Sequence, residues 1–162
     1  MAQSARGAAL RLSWRRCGDD GHWCSFFDLN LDGESLAKGG VYVIWAEDAD
    51  GSRKETVYVG QGKPVADCLA RHRDEVAITR HQRSGRVLRV TWAEVKKEHR
   101  GGVEHFLAQV LQPLEGDRWS DDDPIQVNLP WLERVATGTR VPAGARYAGR
   151  RLTHTKEARD GK

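Results

Sequence analysis

The sequence has no long hydrophobic run, few cysteines and little net charge. No apolar stretch approaches the roughly 20 residues that a membrane-spanning helix needs, and the N-terminus lacks the apolar core of a signal peptide. We therefore expect a cytoplasmic protein without a membrane partner. The cysteines, Cys17, Cys24 and Cys68, are odd in number and too few for a disulfide framework, which predicts reduced thiols. The 162 residues, 39% hydrophobic and 30% charged, are typical of one globular domain with a modest core.

Positive charge is concentrated in two parts of the chain, although the net charge is only +3. Residues 63–100 contain ten lysines and arginines but five acidic residues. Residues 133–162 are rich in glycine, alanine and arginine without an apolar period, which predicts a mobile basic tail. Such excesses favour a nucleic-acid partner, and a solvated tail that keeps the protein soluble is the alternative. The predicted nucleic-acid contacts are Lys63, Arg73, Arg80, His81 and Arg83.

Two short β-prone runs predict a hairpin. The runs "GVYVIWA" at 40–46 and "ETVYVGQ" at 55–61 are rich in β-branched and aromatic residues, and an Asp-Gly turn lies between them. Residues 86–95, "RVLRVTWAEV", alternate and predict a third strand with one buried face. Alternation in residues 27–31 also indicates an extended segment before a turn at 32–33.

Two segments predict helices. The first begins at Pro64 and runs through residue 82, with apolar side chains at helical spacing and one basic face exposed. The second, "GGVEHFLAQVLQPL" at 101–114, carries one apolar side and is ended by Pro113. The expected order is strand, strand, helix, strand, helix.

Two tripeptides of the predicted hairpin resemble the halves of a known motif. "GVY" at 40–42 and "YVG" at 58–60 are similar to the two parts of the motif that names the GIY-YIG nuclease superfamily. Residues that match the family's later positions follow in its order, and they are His72, Glu104 and Asn128. The resemblance implies an α/β fold with a central three-stranded antiparallel β-sheet flanked by helices. It also implies a divalent-metal-dependent endonuclease.

The resemblance assigns a role to each matched side chain. Tyr42 would lie beside the attacking water, Tyr58 would orient the site, and His72 would relay a proton or contact a phosphate oxygen. Glu104 would bind Mg²⁺ or Mn²⁺, and Asn128 would orient a site element. Phosphodiester hydrolysis needs these functions: a deprotonated nucleophile, a cation near phosphorus and help for the departing oxygen. The residues alone also allow packing roles for the tyrosines and the histidine, an exposed first-turn position for Glu104, and turn chemistry for Asn128.

One position departs from the family's pattern. The family's helix carries an arginine four residues before the histidine, and this chain has Cys68 there. Arg71 lies three residues later on the same helical side, displaced by about 4.5 Å along the axis, a gap that a long arginine can span. We therefore predict that Arg71, or Arg73, supplies the catalytic cation, and that Cys68 is a small, half-buried thiol.

The leading hypothesis is thus an endonuclease that acts on DNA rather than RNA, with a homodimer or a protein partner left open. A catalytically degenerate nucleic-acid-binding module is the alternative, and a protein-interaction domain is a third. The nuclease domain is expected at residues 39–132. Residues 1–38 would be an N-terminal extension that packs on the domain or leads into it, and residues 133–162 the basic tail.

Overall fold

A computed structural model describes residues 10–18, 22–116 and 118–131, so the tail predicted for 133–162 lies outside the described residues. The fold is α/β: a four-stranded antiparallel sheet in the order β1-β4-β2-β3, with helices packed against it. The strands are β1 (Cys24–Ser25), β2 (Gly40–Asp48), β3 (Lys54–Gly62) and β4 (Arg86–Glu94). The helices are a 3₁₀ helix at Glu34–Ala37, α1 (Val65–His72), α2 (Val76–Thr79) and α3 (Lys97–Leu111).

The predicted hairpin is confirmed as β2 and β3. The pair runs from Gly40 opposite Gly62 to Glu47 opposite Lys54, with a register shift after Ile44. The strands are longer than predicted because both ends of the polar loop join the ladder. Gly51 has a φ of +74° in the turn, a conformation that glycine adopts without steric cost.

Strand β2 lies in the middle of the sheet because β4 pairs with it along its whole length. Its side chains alternate between two cores. Val41, Val43 and Trp45 face the core beneath α3, whereas Tyr42 and Ile44 face the core that contains residues of α1 and α2. The third predicted strand is confirmed as β4, but both of its faces are buried rather than one.

The long helix predicted from Pro64 is two helices, α1 and α2, separated at residues 73–75. Leu69 and Ile78 are both buried in the same core. Nine residues of uninterrupted helix would rotate Ile78 about 180° away from Leu69, so the break returns Ile78 to the core. The second predicted helix is confirmed, although α3 begins at Lys97, and it ends where Gln112 adopts a left-handed conformation before Pro113.

The N-terminal segment corrects three expectations. It supplies β1, so the sheet has four strands instead of three, and residues 26–28 form a turn where an extended segment was predicted. Cys17 and Cys24 form a disulfide, so the prediction that all thiols are reduced was wrong. A short antiparallel bridge between Cys17 and His22 turns the chain back and brings the two cysteines together. None of the described helices is both long and apolar enough to cross a membrane.

Candidate active site

The position of Tyr42 depends on a glycine in the neighbouring strand. Tyr42 pairs with Gly60 in the β2–β3 ladder, and its side chain folds over that residue. A Cβ at Gly60 would overlap the Tyr42 hydroxyl and lie 2.5 Å from the Cζ atom. The tyrosine is only 1% exposed. The absence of a side chain at Gly60 therefore makes the space in which the Tyr42 hydroxyl is buried.

The Tyr42 hydroxyl is hydrogen-bonded to a histidine. Its oxygen lies 2.7 Å from Nε2 of His72, which is itself only 2% exposed. The other ring nitrogen of His72, Nδ1, lies 2.6 Å from Oε1 of Glu75. Tyr58 completes the cluster, with ring centroids 4.4 Å from His72 and 6.2 Å from Tyr42. The structure thus brings three of the predicted site residues into mutual contact, together with one acid that was not predicted.

Burial sets the protonation of the pair. It raises the pKa of Tyr42 far above the usual tyrosine range, and the neighbouring Cys68 and Tyr58 add to that rise, while Arg71 lowers it in part. Burial lowers the pKa of His72, although the bond to Glu75 opposes that shift. At neutral pH the pair is therefore an un-ionised phenol beside a neutral imidazole. A neutral imidazole has one nitrogen that can accept a proton.

Arg71 directly precedes His72 in α1. Its side chain is exposed, and it lines an open cleft of about 460 Å³ together with Tyr58, His72 and Glu75. Its positive charge acts on both Tyr42 and His72. Burial alone would lower the pKa of Arg71, but the neighbouring Cys68 and Tyr42 side chains raise it. A permanent positive charge therefore faces the cleft beside the Tyr42–His72 pair.

Cys68 occupies a tight position behind the cleft. It is 7% exposed, and its sulfur lies 3.7 Å from the carbonyl oxygen of Gln61. A Cβ at Gly62 would overlap the same sulfur. Cys68 is a small thiol, as expected, but it is almost fully buried rather than half-buried.

Glu104 lies in the middle of α3 rather than in its first turn, so the exposed first-turn interpretation is wrong. The residue is only 8% exposed. Burial raises the pKa of its carboxyl, and hydrogen bonds from the Gln61 amide at 3.0 Å and the Ser120 backbone N–H at 3.1 Å oppose that rise. Both donors bind the same oxygen, Oε1. Neither of these two bonds uses the second oxygen, Oε2, which can therefore bind a further partner.

The arrangement around Glu104 fits a magnesium-like ion held by one carboxylate. In the described part of the chain, no group of three or more His, Cys, Asp or Glu side chains is arranged to hold a metal. Mg²⁺ commonly binds one or two carboxylates, keeps several waters and completes its shell with substrate phosphate. A buried carboxylate with a raised pKa also gains from a nearby cation. The charge of Glu104 reaches the cluster, because it contributes after burial to the raised pKa of Tyr58.

Asn128 does not join the cluster by any hydrogen bond found in the described residues. Its Oδ1 accepts a bond of 2.7 Å from the backbone N–H of Leu12, and its Nδ2 donates one of 3.0 Å to the carbonyl of the same residue. Leu10 pairs with Val127 alongside. In this structure Asn128 therefore joins the N-terminal segment to the chain after α3.

The predicted nucleic-acid contacts divide into two groups. Arg73 donates to the carbonyl oxygens of Phe26 and Leu29, and both Arg80 and His81 bind Glu115. Lys63 and Arg83 are exposed. Three of the five predicted contacts are therefore bound within the chain, and the basic face is smaller than the charge count indicated.

Three site residues were missed from the sequence, namely Gln61, Glu75 and Ser120. Glu75 had a local signal, because it follows His72 by three residues, a spacing at which side chains on a helical turn meet. The only signal for Gln61 was its position between two glycines. Ser120 acts through its backbone N–H, for which the residue type gives no signal.

No family model, curated protein or solved structure matches this chain.

Proposed function

We propose that the protein is a Mg²⁺- or Mn²⁺-dependent endonuclease that hydrolyses phosphodiester bonds in nucleic acid. The observation that carries this proposal is the 2.7 Å bond between the Tyr42 hydroxyl and a buried, neutral His72, beside the Arg71 charge. The resemblance to the GIY-YIG superfamily supports it, since the matched tyrosines and histidine are in contact. DNA is proposed ahead of RNA because that superfamily includes repair, homing and restriction enzymes.

Tyr42 and His72 would move the proton of the attacking water. The raised pKa of Tyr42 excludes a stable phenolate in the free protein, so the tyrosine must lose its proton while it acts as a base. In the proposed step the water oxygen bonds to phosphorus, the water proton passes to the Tyr42 oxygen, and the Tyr42 proton passes to Nε2 of His72. The bond from phosphorus to the departing oxygen breaks, and that oxygen takes a proton from solvent.

Arg71 and a metal ion held by Glu104 would stabilise the negative charge of the phosphoryl group. The transferring phosphoryl group gains negative charge on its oxygens, and a preorganised cation stabilises it. Arg71 faces the cleft and takes that role in place of the arginine that Cys68 replaces. Glu104 would hold the metal ion through its carboxylate, and the ion supplies Lewis-acid polarisation of the phosphate.

A noncatalytic nucleic-acid-binding module is the second candidate, and Cys68 is the observation that favours it. Loss of a preorganised transition-state donor costs roughly a hundredfold to a thousandfold in rate. If Arg71 does not replace that donor, the site would retain its shape and lose its activity. Function belongs to the site and not to the scaffold, so the strand pairing does not separate these candidates.

The experiment that separates them is a cleavage assay on supercoiled DNA, single-stranded DNA and RNA. Each substrate is incubated with Mg²⁺, Mn²⁺ or EDTA, and binding to the same substrates is measured in EDTA. The proposal predicts metal-dependent cutting by the wild type and loss of cutting in Glu104→Gln. Glu98→Gln is the matched control, because Glu98 is an exposed acid on the same helix, and it should cut like the wild type.

Binding without cleavage in any metal would contradict the nuclease proposal and support the binding module. A gain of cleavage in Cys68→Arg, with an inert wild type, would show that the scaffold can act but that its native function is binding. Equal cutting by Glu104→Gln and the wild type would remove Glu104 from the metal site.

A further inference from the structure

We propose that Glu75 is a positioning residue that holds His72 with its proton on Nδ1, so that Nε2 faces Tyr42 as a proton acceptor. The inference rests on the proposed function, in which His72 takes the Tyr42 proton. It adds a fourth side chain to the three predicted residues that the structure brings into contact, Tyr42, Tyr58 and His72. Glu75 does not touch the reacting atoms and would act through the imidazole.

The two ring nitrogens of His72 are engaged by different partners. Nδ1 lies 2.6 Å from Oε1 of Glu75, and Nε2 lies 2.7 Å from the Tyr42 hydroxyl. An ionised carboxylate only accepts hydrogen bonds, so the bond to Glu75 requires a proton on Nδ1. A neutral imidazole carries one such proton, which leaves the lone pair of Nε2 for the hydroxyl. The geometry therefore selects one of the two tautomers.

The break between α1 and α2 supplies Glu75 at the right place. Helix α1 ends at His72, and the backbone N–H of Glu75 donates to the His72 carbonyl at 3.1 Å. Glu75 is extended, with φ −97° and ψ 116°, and it occupies the N-cap position of α2 without a side-chain capping bond. Its side chain is 43% exposed, so it lies at the rim of the cleft while the imidazole lies inside. The turn that buries Ile78 thus also brings an acid to the buried histidine.

Glu75 also favours the protonated form of His72. Tyr42 from β2 and Tyr58 from β3 pack on the ring, Arg71 precedes it in α1, and Glu75 follows it. Burial disfavours protonation of His72, and so does Arg71, whereas Glu75 favours it by charge and by its hydrogen bond. Glu75 is the acid that acts on His72 in this set. It would stabilise the imidazolium that forms when the Tyr42 proton arrives.

The test is ¹⁵N NMR of the imidazole nitrogens of His72 between pH 4 and 8. The proteins compared are the wild type, Glu75→Gln, Glu75→Ala and the control Asp74→Asn, which changes an exposed neighbour. The inference predicts the Nδ1–H tautomer in the wild type and the control. It predicts a lower His72 pKa in both Glu75 variants, because the favourable charge is lost, and a loss of the single tautomer in Glu75→Ala. The partial exposure of Glu75 allows both variants to fold.

The same proteins are then compared by the pH dependence of single-turnover cleavage. In Glu75→Gln the acid limb of the rate should move to lower pH together with the His72 pKa, and the plateau should fall, whereas Asp74→Asn should change neither. Unchanged His72 shifts and pKa in both Glu75 variants would overturn the inference. A wild type that cuts nothing, with the predicted NMR changes present, would overturn the nuclease proposal and leave the positioning of His72 supported.

Discussion

The ring of Tyr42 occupies the space that a side chain at Gly60 would fill. The two residues are paired across β2 and β3, and a Cβ on the glycine would overlap the tyrosine hydroxyl. This contact explains why a tyrosine that ends one tripeptide is found with a glycine that ends the other. The glycine is required for close approach of a side chain, since its backbone does not adopt a left-handed conformation.

Gly60→Ala should therefore displace the Tyr42 hydroxyl from Nε2 of His72. We expect a loss of cleavage and a decrease of about 1 to 3 kcal/mol in the free energy of unfolding, the usual range for overpacking a core. Urea unfolding and the cleavage assay measure the two effects. Gly33→Ala is the control, because a Cβ there would meet only ordinary contacts of 3.6 and 3.9 Å. Similar effects of the two substitutions would show that the Gly60 contact does not position the tyrosine.

Glu104→Gln should raise the stability of the metal-free protein at neutral pH. Burial raises the pKa of Glu104, so the protonated carboxyl is the favoured form in the fold. The associated stability is present at acid pH and is lost as the pH rises through the raised pKa. Glutamine keeps an oxygen that can accept from Gln61 and Ser120 and carries no charge. A higher melting temperature than the wild type at pH 7 in EDTA, shrinking near pH 4, is the expected result.

A lower melting temperature of Glu104→Gln than of the wild type at pH 7 would mean that the ionised carboxylate stabilises the fold. That result would contradict the raised pKa of Glu104. The exposed Glu98→Gln substitution should change the melting temperature little at either pH. Adding Mg²⁺ should stabilise the wild type more than Glu104→Gln, because a ligand stabilises only the form that binds it.

The acid limb of the cleavage rate should have its midpoint below about pH 6.5, the ordinary histidine pKa. His72 accepts a proton only when it is neutral, and burial lowers its pKa, so the acid limb should lie below that value. Single-turnover rates at saturating metal measure the limb. Because Glu104 must be ionised to bind metal, a limb due to Glu104 would move with metal concentration, whereas one due to His72 would not. A limb of His72 origin with its midpoint above pH 6.5 would be incompatible with the lowered pKa.

Cys68→Ala should leave the cleavage rate close to that of the wild type. The sulfur packs over Gly62, makes a long contact with the Gln61 carbonyl and lies beside Tyr42 and Arg71. The substitution should cost about 1 kcal/mol of stability through lost packing. Rates and urea unfolding of Cys68→Ala and Cys68→Ser measure this. A large loss of activity in both proteins, with native stability, would assign the thiol a chemical role.

The hairpin could be predicted from its two β-prone runs and the Asp-Gly turn between them. The third strand and the last helix could be predicted because their apolar residues repeat at the period of the element. The break between α1 and α2 could not, since Val76 continues the helical spacing of Val65 and Leu69 although it is exposed in the structure. Only the shared core of Leu69 and Ile78 requires the change of direction. The disulfide could not either. Pairing of Cys17 with Cys24 depends on a turn in space, which the number of cysteines does not reveal.

The candidate site also has residues that the sequence could identify and contacts that it could not. Tyr42, Tyr58 and His72 could be named from a motif, and the structure brings them into contact. The hydrogen bonds of Asn128 to Leu12 depend on the path of the N-terminal segment, which no local pattern encodes. Arg73 likewise donates to carbonyls far away in the sequence. Long-range partners of polar side chains were the part that sequence patterns did not predict.

The central claim is that Arg71 supplies the cation missing at position 68, and the single-turnover rate of Arg71→Ala on supercoiled DNA tests it most directly. With DNA and Mn²⁺ saturating, the rate should fall roughly a hundredfold to a thousandfold below the wild type. Arg83→Ala, which changes an exposed arginine in the loop between α2 and β4, should weaken binding and leave that rate unchanged. Equal rates for Arg71→Ala and the wild type would contradict the account.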